Sequence, residues 1–263
     1  MRLHEANLTN LVTLWKKYGS QQIGSASLLE LHTNTHWPHR CWFDWNTSLD
    51  EETLQPVGDY DINTLLKDVS ESAIVPVWPK TNETSGDRWG SFFEQQLKDN
   101  HWRCAFNQAA MCLDLKDAPA YSEKKLAGFE VKRIHALEDV TEWIDIGNDA
   151  FAYVIDRPVI ERLVNQKDIQ LLLGCLDGNA VASGLLFKTG NIIGVHQVGV
   201  RSALQGKGIA KAFMKELLVA CQRWSGRYVV LQASEVGRPL YDSLGFKFQF
   251  LIKNYQRTSL KHI

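Results

Sequence analysis

The sequence predicts a mixed α/β protein built as two domains, and three observations predict it. Strand-like and helix-like apolar patterns alternate through the second half of the chain. A polar segment, Lys116 to Lys125 (KDAPAYSEKK), carries Pro119 and separates two apolar alternating stretches. The chain has 263 residues, 44% of them apolar, which exceeds one ordinary domain and can fill two cores. Aromatic usage shifts at the same place. Tryptophans 15, 37, 42, 45, 78, 89 and 102 precede the segment, and only Trp143 and Trp224 follow it. The expected domains are therefore 1–118, an α/β domain, and 126–258.

The first domain reads as a helix over 7–18, several strands up to about residue 78, a helix over 88–98 and a strand over 102–115 with a turn or bulge at Asn107. The second begins with a strand from Phe129 to His135. Short helices follow at 138–150 and 157–166, the latter with Pro158 in its first turn, where the missing N–H costs nothing. Ile169 to Leu176 is an apolar strand. Asp177-Gly178-Asn179 turns it back into a second hairpin arm over 180–188, and Gly190-Asn191 leads to a strand over 192–200. Ile209, Phe213, Leu217 and Cys221 recur every four residues along a helix over 208–224, with Gly226 placed to stop it. A buried strand over 228–233, a two-turn helix over 238–244 ended by Gly245, and a last strand over 246–255 complete the domain.

The net charge of -1 gives no global field toward nucleic acid or an anionic membrane. Neither partner is expected. Five cysteines, odd in number and without a CxxC pair, argue against a disulfide framework and for a reducing, cytoplasmic setting. The first residues read as an amphipathic helix and not a signal peptide, and no apolar run is long enough for a membrane span.

The chemistry sits between strand 192–200 and helix 208–224. There runs Arg201-Ser-Ala-Leu-Gln205-Gly206-Lys207-Gly208-Ile209-Ala210. A helix N-terminus leaves its first N–H groups unpaired and carries partial positive charge. Two glycines let the backbone curl close to a ligand, which makes a cradle for a pyrophosphate. Arg201 and Lys207 add positive charge. A P-loop would need Ser or Thr after Gly206-Lys207, where Gly208 stands. A Rossmann fingerprint would need Gly or Ala where Lys211 stands.

Gln205-x-x-Gly208-x-Ala210 resembles the Q/R-x-x-G-x-G/A motif of the GNAT acetyltransferases, with Val198-Gly199-Val200 at the family's usual distance before it. Arg238-Pro-Leu-Tyr241-Asp-Ser-Leu-Gly245-Phe246 resembles the family's second signature, and the element order from 129 to 255 is similar to that fold. The resemblance covers about half the chain. It implies acetyl-CoA as cosubstrate and no metal, with the cofactor in a V-shaped gap between the strand ending at Val200 and the strand at Tyr228 to Ala233. Pantetheine amides would pair with backbone at Val198, Gly199 and Val200, and the pyrophosphate would rest on the N–H groups of Gln205, Gly206, Lys207, Gly208, Ile209 and Ala210. The C-terminal half alone would then hold the whole cofactor site. Ser234 stands where the family often has an Asn that contacts the cofactor, which puts that contact in doubt.

Acetyl transfer needs a neutral amine and a hydrogen bond or proton for the departing thiolate, while negative charge grows on the thioester oxygen. The resemblance puts Tyr241 in the general-acid position, with a core aromatic as the alternative. His196 is the candidate base, because period two places 196, 198 and 200 on one face of a regular strand, and a histidine titrates near neutrality. Arylalkylamine acetyltransferases, which this segment resembles, carry histidine in a similar place. A structural histidine is the alternative, and Glu235 and Asp242 are reserve carboxylates. Cys175 and Cys221 read as packing residues.

In the first half, His32, His36, His39 and Cys41 match no familiar zinc spacing. The aromatic segment around them reads as packing, or as a wall for an amine-bearing acceptor. The strand, helix and strand from 73 to 115 echo the later part of a GNAT domain, as in a tandem protein with a degenerate copy. The expected activity is acetyl transfer to a primary amine of a small molecule, in a monomer or a homodimer. The alternatives are a protein lysine or N-terminal acetyltransferase and a silent acyl-CoA sensor.

Overall fold

The computed structural model describes residues 3–26, 29–45, 69–79, 88–118 and 126–257. The strands expected between 46 and 68 and part of the expected linker, 119–125, lie outside them. Contacts divide the chain into two compact units, Met1–Tyr18 with Ala109–Phe250 and Gly19–Gln108 with Leu251–Ile263. This division differs from the single linear boundary read between 118 and 126. The first helix belongs with the C-terminal residues, and the strand Trp102–Asp114 runs unbroken through the point where one unit ends.

The first unit holds helix α1 (Leu3–Lys17) and part of a mixed sheet. Its strands are β5 (Trp102–Asp114, from residue 109), β6 (Phe129–Arg133), β7 (Ile169–Leu176), β8 (Asn179–Thr189), β9 (Ile192–Val200), β10 (Tyr228–Ser234) and the start of β11 (Lys247–Arg257). Their spatial order is β11-β5-β10-β9-β8-β7-β6. The first unit also contains α3 (Glu138–Phe151), α4 (Arg157–Glu161), α5 (Ile209–Arg223) and α6 (Arg238–Ser243). Helix α4 stops well short of the expected 166.

Amphipathic patterning explains the layers. Ile209, Phe213, Met214, Leu217 and Cys221 of α5 are buried against Leu172, Val181, Ile193 and Val195 on one sheet face. Helices α1 and α3 cover the other face: a Cβ at Gly194 would meet Asn10, and one at Gly199 would meet Ala150 and Phe151. Helix α5 ends in a Schellman arrangement, with Gly226 N–H on Cys221 C=O and Ser225 N–H on Gln222 C=O. The left-handed residue is Ser225, at φ 58°, and not the expected Gly226.

The second unit contains an antiparallel sheet of β1 (Gln21–Ala26), β2 (Leu29–Thr33) and β3 (Cys41–Trp45). It also contains β4 (Val75–Val77), paired with 253–255 of β11, and α2 (Arg88–Asp99). Leu31, Cys41, Phe43, Val75, Phe93, Leu97 and Trp102 form its core. His32 stacks on Trp42 at 5.4 Å and bonds Glu30 Oε2 at 3.2 Å, and Cys41 is fully buried, so both serve packing here. No helix among the described residues is long and apolar enough to cross a membrane.

Candidate active site

The site begins where two parallel strands part. Strands β9 and β10 pair at Ile192–Tyr228, Ile193–Val229 and Gly194–Val230, and among the described residues their pairing ends there. Beyond those positions, among the described residues, the inner edges of the two strands do not pair with each other. On its other edge β9 pairs with β8, but the register slips. Ser183 faces Gly199 and Leu185 faces His196, so two residues of β9, Gln197 and Val198, answer Gly184 of β8 alone. This is a β-bulge, with Gln197 left-handed at φ 54°. The bulge reverses the alternation. Ile193, Val195, Val198 and Val200 pack on the α5 side, whereas Gly194, His196 and Gly199 face α1 and α3. The expectation that His196 shares a face with Val198 and Val200 is therefore corrected: one extra residue turns the imidazole to the opposite side.

Past the bulge, Arg201 N–H donates to Val181 C=O at 2.9 Å, so strand alternation turns the backbone groups of Val200 and Val198 away from β8 and toward the gap. Gln205 Nε2 donates to Val200 C=O at 3.2 Å, tying the loop back to the strand.

In the loop, Gly206 and Gly208 adopt φ 75° and φ 80°, and a Cβ on either would meet nothing within 4 Å. The concavity is open and its backbone suits glycine. Helix α5 starts bonding with Ala212 N–H on Gly208 C=O. Among the described residues, no N–H from 206 to 211 donates to a backbone carbonyl. Gln205 differs from the expectation: its N–H already donates to Ser202 C=O at 3.3 Å, so the free donors begin at Gly206. Arg201 differs too. Its guanidinium bonds Glu142 Oε1 at 2.5 Å and Ala180 C=O at 3.1 Å, which leaves Lys207 as the loop's exposed cation. Ser202 anchors the loop on α3 through Asp149, whose carboxyl those hydrogen bonds hold below the usual range.

Tyr241 is half-buried against the α5 core, its ring edge-on to Phe246 at 5.8 Å. Burial pushes its phenol up to about 12. Among the described residues its hydroxyl has no hydrogen-bond partner. Ser234 Oγ accepts the Gly237 N–H at 3.1 Å and so shapes the turn into α6. Asp242 pairs with Arg238 at 3.6 Å, and Glu235 is exposed.

His196 is buried, and its Nε2 lies 3.0 Å from Asn10 Oδ1. Asn10 Nδ2 donates to Phe187 C=O at 3.0 Å, which fixes Oδ1 as the acceptor and Nε2 as the protonated ring nitrogen. Burial pushes the ring down to about 3, against a smaller opposing effect of the Gln232 side chain. The imidazole stays neutral at physiological pH and is a weak proton acceptor.

A model of the GNAT acetyltransferase domain matches residues 117–262, more than half of the chain. The chain belongs to the GNAT family. Solved structures share the GNAT fold at low identity. A GCN5-related N-acetyltransferase from Kribbella flavida matches with a TM-score of 0.66 and 13% identity, over 98% of this chain and 95% of that one. One from Sphaerobacter thermophilus gives 0.60 and 16%, over 87% and 75%. A GCN5-related N-acetyltransferase-like protein from Streptococcus suis gives 0.54 and 14%, over 95% and 99%. No curated protein matches the sequence.

This GNAT site includes residues that sequence reasoning missed. Tyr153, in the loop after α3, donates to Gln197 Oε1 at 2.5 Å, and stacks on Phe151. The loop holds its shape because Asn148 Oδ1 accepts the Ile155 N–H at 2.8 Å. Asn7 and Asn10 of α1 are fully buried in the same unit. Their one sequence signal is the placement of two amides three residues apart on the face of Ala6, Leu11 and Leu14.

Proposed function

We propose that this GNAT protein transfers an acetyl group from acetyl-CoA to a primary amine of a small molecule, by direct attack in a ternary complex. The observation that carries the reading is the open cradle at Gly206 and Gly208, whose free N–H groups stand at the N-terminus of α5 beside the gap. Those donors suit a pyrophosphate, and the gap-facing backbone of Val198 and Val200 suits the amides of a pantetheine arm. Acetyl-CoA supplies the thioester. The amine nitrogen bonds to its carbonyl carbon, the C–S bond breaks, and the amine's proton leaves to water. Tyr241 donates a hydrogen bond to the departing sulfur. His196 takes a positioning role, because a buried, neutral ring already donating to Asn10 is poorly suited to remove that proton.

The first half is read as a degenerate second copy. Support comes from the order β4, α2, β5, which repeats the strand–helix–strand order of β9, α5 and β10.

The test is release of free thiol from acetyl-CoA by the intact protein, against a panel of small amines and of lysine and N-terminal peptides. Turnover with small amines is expected. Turnover with peptides alone would move the activity to proteins. Tight CoA binding without turnover on any acceptor would make the chain a sensor.

A further inference from the structure

The two fully buried asparagines of α1 hold opposite sides of the gap. Asn7 and Asn10 are three residues apart, so both amides point from one face of the helix. Asn7 serves the β10 side. Its Nδ2 donates to Met111 C=O on β5 at 3.1 Å and to Gln249 Oε1 on β11 at 2.6 Å. Its Oδ1 accepts from Gln232 Nε2 on β10 at 2.6 Å. Asn10 serves the β9 side. Its Nδ2 donates to Phe187 C=O and Thr189 Oγ1 on β8, both at 3.0 Å, and its Oδ1 accepts from His196 on β9. Each amide thus uses both its N–H donors and one oxygen lone pair, all on one side of the gap.

The strand residues they grip stand at matching depth. Gly194 and Val230 form the last paired rung, and His196 and Gln232 are each two residues further along. Gly194 makes the close approach possible, since a Cβ there would fall 1.9 Å from Asn10 Oδ1 and 2.2 Å from His196 Nε2.

We propose that α1 is a clasp across the cofactor gap: Asn7 fixes Gln232 on one strand and Asn10 fixes His196 on the other, and together they set how far β9 and β10 splay. The inference rests on the reading that this gap takes acyl-CoA. It makes Asn7, Asn10, Gln232 and His196 positioning residues. Helix α1 is bound to the gap by directional bonds and not only by its apolar face. Loss of either amide frees one strand, leaves buried groups unpaired and widens the range of gap geometries.

The experiment measures CoA affinity by calorimetry and thermal stability in the full chain, for wild type, Asn7→Ala, Asn10→Ala and Gln232→Leu. Leu14→Ala is the control. Leu14 is buried on the same helix and truncating it leaves a cavity, but it bonds nothing at the gap. The amide variants are expected to bind CoA about tenfold more weakly, because each frees one strand of the gap. Leu14→Ala, equally or more destabilised, is expected to bind within about twofold of wild type. Gln232→Leu keeps α1 intact and decides the question should the asparagine variants fail to fold. Folded amide variants with unchanged CoA affinity would overturn the clasp alone. A wild-type protein that does not bind CoA would overturn the cofactor reading, and the clasp with it.

Discussion

Tyr241 keeps its proton throughout the physiological range, because burial pushes its phenol up to about 12. An ordinary thiol has a pKa near ~8.5, so outright proton transfer from this phenol to a thiolate is uphill. A hydrogen bond that strengthens as charge grows on sulfur is the better description. Tyr241→Phe keeps the ring against Phe246 and removes only that donor. Turnover is expected to fall on the order of 100-fold, with little change in the Michaelis constant for acetyl-CoA. Steady-state and pre-steady-state rates of thiol release check this, and a Phe variant with normal chemistry would return Tyr241 to the core. His196 makes a prediction about stability. Its folded pKa, about 3, lies below its ordinary 6.5, so the unfolded chain binds more protons between those values. The contribution is full above about 6.5 and is lost as the pH falls toward about 3. The slope is roughly 1.4 kcal/mol per pH unit. His196→Gln removes the titration, so its unfolding midpoint in urea should change less with pH across that window than the wild-type midpoint does. Parallel midpoint curves would show that the ring is not buried neutral.

The elements divide into those written locally and those fixed from afar. The loop from Gln205 to Ala210 was legible because glycine spacing and a following helix are properties of a dozen adjacent residues. Arg201 was misread as a free charge because its partner, Glu142, lies 59 residues away. The bulge was not legible either. Val195 to Val200 reads as a regular strand, and only pairing with β8 reveals the extra residue at Gln197. That one residue decides which face His196 occupies. For the loop, Gly208→Val is expected to lower CoA affinity by at least about tenfold, since a branched side chain would fill the open cradle where backbone must approach phosphate. Gly178→Val is the matched control. It has the same φ of 80° and the same open surroundings, but lies in the β7–β8 turn. Both variants carry a comparable strain of about 1–2 kcal/mol. Calorimetry should therefore separate them by CoA binding while their stabilities fall together, and equal binding by the two would remove the loop from the cofactor site.

Across the whole chain, the sequence located the family domain but misplaced the first helix. Its amphipathic pattern announced a helix and could not supply its address. The partners of Asn7 and Asn10 lie between 104 and 242 residues away. A boundary read from a polar segment near 118 therefore assigns α1 to the wrong neighbour. It also makes the C-terminal half look self-sufficient, when α1 and residues 109–114 of β5 belong to the same compact unit. This arrangement has a consequence for biosynthesis. Translation proceeds at roughly 5–20 residues per second, so α1 is made many seconds before Gln249, which follows Asn7 by 242 positions. The partners of Asn10, at 187, 189 and 196, are made earlier, but through that whole interval Asn7 still lacks Gln249. The nascent protein carries a helix whose Asn7 amide is not fully satisfied until its last strand appears, a stage at which a holding chaperone would have most to do.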